Sequence, residues 1–237
     1  MKRKRWKIYV AGAIAFIAGF LTTLRSANAQ QPERFDNKVR DFFFAGFAGD
    51  QDALARAMKI SEAVLASDPK QAEALVWHGA GTAFQGGQAF QNGNPQKGME
   101  LWSQGLKEMQ TAVDLKPDSV SVRVPRGANL LAMTRYLQNQ SMAVPLIKDG
   151  VADYERVYQI QKPIFQTLAT HSRGELLFGI AEGYSRLGDQ EKARVYFEQI
   201  RTDLADSPYA KRAAMWLETK TLPANQTRCI GCHSPVN

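Results

Sequence analysis

The sequence predicts an all-α protein. Three observations carry that expectation. From about Phe35 to Lys220, apolar residues recur at intervals of three and four, the period of a helix face. Alternating Val/Ile/Thr runs of strand type are scarce over the same stretch. The turn-forming residues are spaced so that the helices fall into consecutive pairs.

Taken in order, the first 29 residues stand apart from this pattern. Met1 to Lys7 is a positive segment, Ile8 to Leu24 is an apolar run, and Ala27-Asn28-Ala29 is a small-x-small cleavage site. Together these read as a signal peptide cut before Gln30. The apolar run has 17 residues, at the short edge of what spans a bilayer, so residues 8–24 retained as an inner-membrane anchor are the alternative. No Cys directly follows the run, which excludes a lipid-modified cysteine there. Either way the segment implies export, to the periplasm or an equivalent compartment, with Lys2 to Lys7 left on the cytoplasmic side.

This segment also explains the charge. The chain carries 30 Lys and Arg against 23 Asp and Glu, a net +7. Lys2, Arg3, Lys4, Arg5, Lys7 and Arg25 contribute six of those cations, so the body holds 24 basic and 23 acidic residues. A nearly neutral body has no basic stripe to neutralise several phosphates, and a nucleic-acid partner is excluded. The membrane enters only through the N-terminal segment, if it is uncleaved.

Residues 30–34 form a short linker, and residues 35–220 a helical repeat domain. Its first pair is expected over Phe35–Ala48 and Gln51–Ser67. A second pair runs through an elongated first helix over Ala83–Asn92, then Asn94 as a helix cap with Pro95 in the first helical position. Ser119–Gln138 and Val144–Gln161 make a third unit, with Pro125 and Pro163 expected as kinks or breaks. The clearest pair is Gly174 to Asp206. Leu177, Ile180, Ala181 and Tyr184 mark one helix face, Gly188 supplies a left-handed turn residue, Asp189 caps the next helix, and Ala193, Phe197 and Ile200 mark its buried face.

Ala181, Tyr184, Gly188, Ala193 and Phe197 resemble the small, aromatic and glycine positions of a tetratricopeptide repeat. The closing proline, Pro208, comes about three residues late, which predicts a longer second helix passing into Ala210–Thr219. Looser copies end at Glu62–Pro69 and Ala112–Pro117, and the 48 residues from Pro69 to Pro117 exceed the roughly 34 of a regular repeat. The resemblance implies three to four irregular helical hairpins in one solenoid, with a concave surface that binds a protein partner.

Residues 221–237 form a tail that holds the two Cys of the chain, in Cys229-Ile230-Gly231-Cys232-His233. Cys-x-x-Cys-His resembles the attachment motif of c-type cytochromes. The resemblance implies one covalent haem c, with Cys229 and Cys232 as thioether positions and His233 as proximal axial ligand. A thiol–disulfide redox pair is a rival, although no strand–helix context of the thioredoxin type accompanies it. A zinc site is a weaker one, because four ligands are needed. A typical small cytochrome c carries this motif near the start of a domain, whereas here only Ser234, Pro235, Val236 and Asn237 follow His233. The tail therefore has too few residues to bury a haem, and the pocket must come from the helical body, a partner or another copy.

The sixth iron ligand is open. His78, in Val76-Trp77-His78-Gly79, and His171, in Thr170-His171-Ser172, are the candidates, each also readable as an ordinary packed or exposed histidine. Met58, Met99, Met109, Met133, Met142 and Met215 read as core fillers, and Trp77, Trp102 and Trp216 as packing between helices. Gly79-Ala80-Gly81 and Gly86-Gly87 follow no strand; they read as points of close helix approach, not as phosphate loops. No Ser-His-Asp set, His-Glu-x-x-His or spaced carboxylate pair is present.

The function expected is therefore an exported monohaem electron carrier acting with a redox or scaffold partner, more in keeping with a non-enzymatic protein than an enzyme. A periplasmic adaptor with an incidental or thiol-switch tail is the alternative. A haem sensor or peroxidase-like enzyme is a third reading, one that requires an open iron position.

Overall fold

The computed structural model describes residues 34–222. The leader segment 1–29 and the Cys229–His233 motif lie outside the described residues. The described chain is all-helical and has no strands. Its α-helices are α1 (Phe35–Phe47), α2 (Gln51–Ser67), α3 (Ala72–Gln91), α4 (Pro95–Leu115), α5 (Val120–Met133), α6 (Gln140–Gln161), α7 (Thr170–Arg186), α8 (Gln190–Asp203) and α9 (Pro208–Thr219). Short 3-10 turns follow α5 at Thr134–Tyr136 and α6 at Lys162–Thr167.

Three of the hairpin turns are built from one local device. Gly49-Asp50, Gly93-Asn94 and Gly188-Asp189 each place a glycine at positive φ (120°, 76° and 83°) just after a helix. The following Asp or Asn then caps the next helix. The carboxylates of Asp50 and Asp189 accept from the nitrogens of Ala53 (2.9 Å) and Lys192 (3.1 Å), and the Asn94 amide oxygen accepts from Lys97 (3.1 Å). The backbone bonds repeat as well: the nitrogens of Asp50, Asn94 and Asp189 donate to the carbonyls of Ala45, Ala89 and Tyr184, five residues back. This is a Schellman-type ending, which favours a residue able to sit at positive φ. The same glycine closes one helix while its neighbour opens the next, so the chain reverses in a few residues.

Sequential helices pack as neighbours, and α1, α3, α5 and α7 also touch one another in a row, with α9 beside α7. The core divides into two clusters. One joins α1–α4 to Val122 and Leu130 of α5, around Phe43, Trp77, Trp102 and Met109. The other joins Leu131 to α6–α9, around Tyr154, Phe197 and Trp216. The three tryptophans are buried, as expected, with Trp77 stacked on Phe43 and Trp216 on Phe197. Met58 and Met109 are buried, but Met99 lies on the solvent side of α4 and is 46% exposed, which corrects its reading as a core filler.

Gly79, Gly81 and Gly86 of α3 act where close approach was expected, whereas Gly87 does not, since a Cβ there would meet nothing within 4 Å. A Cβ on Gly79 would lie 2.7 Å from the Gly105 carbonyl oxygen, and one on Gly86 would lie 2.7 Å from the Trp102 nitrogen. Gly105 in turn faces the Gly79 carbonyl and the Ala83 nitrogen. These two long helices meet backbone to backbone.

Of the kink or break expected at Pro125, the break does not occur: α5 runs through it, and its carbonyl accepts from the Asn129 side-chain nitrogen at 2.8 Å. Pro163 behaves as expected, ending α6 and starting a 3-10 turn. The longer helix expected after Ala193 is instead two helices. α8 stops at Asp203, Ser207 caps α9 by accepting from the Ala210 nitrogen at 3.2 Å, and Pro208 takes the first helical position. The late proline belongs to the start of the next helix, where its missing N–H costs nothing.

Candidate functional site

The row of odd-numbered helices leaves a groove that encloses about 600 Å³. Its apolar wall comes from Phe44 and Phe47 of α1, Trp77 of α3, Val124, Ala128 and Ala132 of α5, Tyr154 of α6, and Phe178 of α7. Its polar groups are Arg34, Asp36 and Arg40 at one end, Arg135 and Glu182 on the wall, and His171, Glu175, Tyr209 and Arg212 at the other end. No single segment makes this surface. It exists because the hairpins stack and each first helix contributes one face.

The charged groups are held rather than loose. Arg34 grips Asp36 through two bonds of 3.0 and 2.9 Å. Arg135 makes a bidentate pair with Glu182, at 2.8 and 2.6 Å, where Glu182 is buried. Arg186 supports that pair from behind, donating to the Leu131 carbonyl at 2.8 Å and the Thr134 hydroxyl at 2.7 Å. The Arg212 guanidinium lies 3.8 Å from the centre of the Phe178 ring, a cation–π arrangement. The Trp77 indole is 3% exposed, and its Nε1 has no hydrogen-bond partner among the described residues.

The two candidate histidines have different settings. His171 lies on the groove wall in the first turn of α7. Its Nδ1 is 2.9 Å from the Tyr209 hydroxyl, and its Nε2 is 3.6 Å from Glu175. The His78 side chain is 13% exposed and is not among the groove residues. Its Nδ1 is 2.6 Å from Glu108 of α4, and its Nε2 is 3.9 Å from Glu62 of α2. Burial works against the charged imidazole. The hydrogen bond that the imidazole donates to Glu108 and the fields of Glu108 and Glu62 outweigh it, so the His78 pKa lies above its ordinary value. Cys229, Cys232 and His233 lie outside the described residues.

Other clusters were not apparent from the sequence. Asp153 of α6 is fully buried and is held by Arg123 and Arg126 of α5 at 2.6 and 2.5 Å. On α7 and α8, Tyr184 and Tyr196 stack with planes 10° apart and both donate to Glu155. Burial, with Glu155 beside them, pushes both phenols up, Tyr196 to about 12. Among the described residues no group of three or more His, Cys, Asp or Glu could hold a metal ion, and no helix is long and apolar enough to cross a membrane.

Compared with known proteins, the chain matches no family model, no curated protein and no solved structure.

Proposed function

We propose that this chain is an exported, single-haem c-type electron-transfer protein whose body is an irregular tetratricopeptide-like solenoid. The observation that carries the reading is Cys229-Ile230-Gly231-Cys232-His233: both cysteines of the chain and an adjacent imidazole in five residues, behind a leader suited to export. The solenoid reading is supported by stacked hairpins with a row of first helices, and by Ala181, Ala193 and Phe197, each buried where a tetratricopeptide repeat needs a small or gap-filling residue.

A covalently held haem supplies one-electron chemistry. The attachment residues would be Cys229 and Cys232, with His233 on the iron. Support for the reading comes from a groove of about 600 Å³ with aromatic walls, within the roughly 300–1,000 Å³ typical of cofactor sites.

The test is the absorption spectrum of protein matured in cells that attach haem c. Covalent haem is expected in the native chain and absent from the Cys229→Ala, Cys232→Ala variant. An unchanged spectrum in that variant overturns the reading.

The groove also favours a second reading, a protein-binding adaptor for which the tail is incidental or a thiol switch. A chain truncated after Thr221 separates the two. Loss of redox activity with the tail supports the haem protein, and full partner binding and function without it supports the adaptor.

A further inference from the structure

We infer that the groove is a binding site for a small amphipathic carboxylate, with its apolar body along the aromatic wall and its charged end held by Arg40 of α1 and the Trp77 indole of α3. This goes beyond the haem reading and does not rest on it.

The unmet groups of the groove wall are donors. Trp77 lines the groove and is 3% exposed, yet its Nε1 has no hydrogen-bond partner among the described residues. A buried N–H of this kind is costly until an acceptor arrives. Arg40 is held less firmly than the other charged groups. Its Nε donates to the exposed Asp41 at 3.4 Å, and its terminal nitrogens have no partner among the described residues.

The carboxylates of the groove, by contrast, are engaged. Asp36 is taken by Arg34, and Glu182 by Arg135. Glu175 lies 3.5 Å from the Tyr154 hydroxyl and 3.6 Å from His171 Nε2. An occupant that complements this wall therefore brings acceptors, and a negative charge matches Arg40.

The two donors share one corner of the groove. Arg40 and Phe44 are one turn apart on α1, about 6 Å along its axis. The Phe44 ring centre is 5.9 Å from that of Trp77. The guanidinium and the indole thus flank one stretch of wall, where a carboxylate has lone pairs enough for both. The Asn37 amide, one turn before Arg40, is exposed at the same end.

Beyond this corner the wall is apolar, continued by Phe47, Val124, Ala128 and Phe178. The enclosed volume of about 600 Å³ suits a small molecule, for which roughly 300–1,000 Å³ is usual. Burial of a hydrocarbon body supplies the affinity, and the carboxylate fixes its direction.

The experiment titrates the full chain with decanoate, followed by calorimetry and by the Trp77 indole N–H resonance, which Trp77→Phe identifies. Saturable binding is expected, with that resonance moving downfield. Decylamine, with the same chain and the opposite charge, is expected not to compete. Arg40→Gln is expected to weaken binding about tenfold or more, the worth of one hydrogen bond to a charged group. Arg201→Gln removes an exposed charge from α8 outside the groove and is expected to change nothing. Ala132→Trp, at a partly exposed groove position, is expected to abolish binding with far-ultraviolet circular dichroism unchanged. Absence of saturable binding, equal binding of decylamine, or binding that ignores both Arg40→Gln and Ala132→Trp overturns the site. Binding by the Cys229→Ala, Cys232→Ala chain but not by a chain with covalent haem also overturns it and gives the groove to the haem. Native protein without covalent haem overturns the haem reading alone and leaves these expectations as they stand.

Discussion

Arg126 donates from Nε to Asp153 at 2.5 Å, in a place where the Asp153 side chain has no exposed surface. A second guanidinium, Arg123, reaches the other carboxylate oxygen at 2.6 Å, and Arg126 also reaches Gln110. Burial nonetheless pushes the Asp153 carboxyl above its usual value, so desolvation outweighs the attraction of both arginines. The cluster ties α5 to α6, and the cost of taking its charges out of water offsets much of their mutual attraction. Asp153→Ala is expected to cost about 3–5 kcal/mol in urea unfolding, because it strands two guanidiniums. Replacing Arg123, Arg126 and Asp153 together with Met, Met and Leu is expected to recover most of that loss.

His78 and Glu108 give a pH signature. The folded-state pKa of His78 lies above its unfolded value, so the folded chain holds the proton more tightly. Its contribution to stability is complete below the ordinary histidine value of about 6.5 and is lost as pH rises through the raised value. The melting temperature, followed by circular dichroism, is expected to fall across that window. Glu108→Gln is expected to flatten the fall, and an unchanged slope would show that the pair is not coupled to folding.

Gly105 and Gly87 should respond oppositely to the same change. A methyl on Gly105 meets the Gly79 carbonyl and the Ala83 backbone, so Gly105→Ala is expected to force α3 and α4 apart at a cost of about 1–3 kcal/mol. A methyl on Gly87 meets nothing within 4 Å, so Gly87→Ala is expected to add about 0.5–1 kcal/mol through helix propensity alone. Thermal unfolding of the two variants checks both signs.

Trp216 ties α9 to the hairpin before it. Its ring lies 4.5 Å from that of Phe197, and its Nε1 donates to Ser185 at 2.8 Å. Trp216→Ala is expected to cost about 3–5 kcal/mol. Because α9 contacts mainly α7 and α8, the loss should appear as early amide exchange in those three helices, with α1–α4 still protected.

The local signals in the sequence were strong where one residue type carries one backbone role. Gly188-Asp189 and Asn94-Pro95 mark turns because positive φ, capping and a proline first turn each favour few residues. Pro208 misled because the same residue closes one unit or opens the next, and only the Ser207 cap decides which. Pro125 was ambiguous because a proline can sit inside a helix as well as end one, and α5 continues through it. A concave surface was expected from the repeat resemblance, but which residues line it was not legible. Phe44, Trp77, Ala132, His171 and Arg212 are far apart in the chain, and each looks like an ordinary helix residue until stacking brings them to one surface.

Leu130 and Leu131 are consecutive residues, yet they belong to different cores. α5 is thus a shared axle whose angular phase serves two halves at once. One residue inserted within it would turn everything downstream by about 100°, swinging Leu131 and the residues after it out of phase with those before. Added length can be absorbed at Gly49, Gly93 or Gly188, where a Cβ would meet nothing within 4 Å. Changes of chain length in relatives of this protein should therefore gather at the glycine turns and spare Val120–Met133, which makes α5 the fixed reference from which both halves are measured.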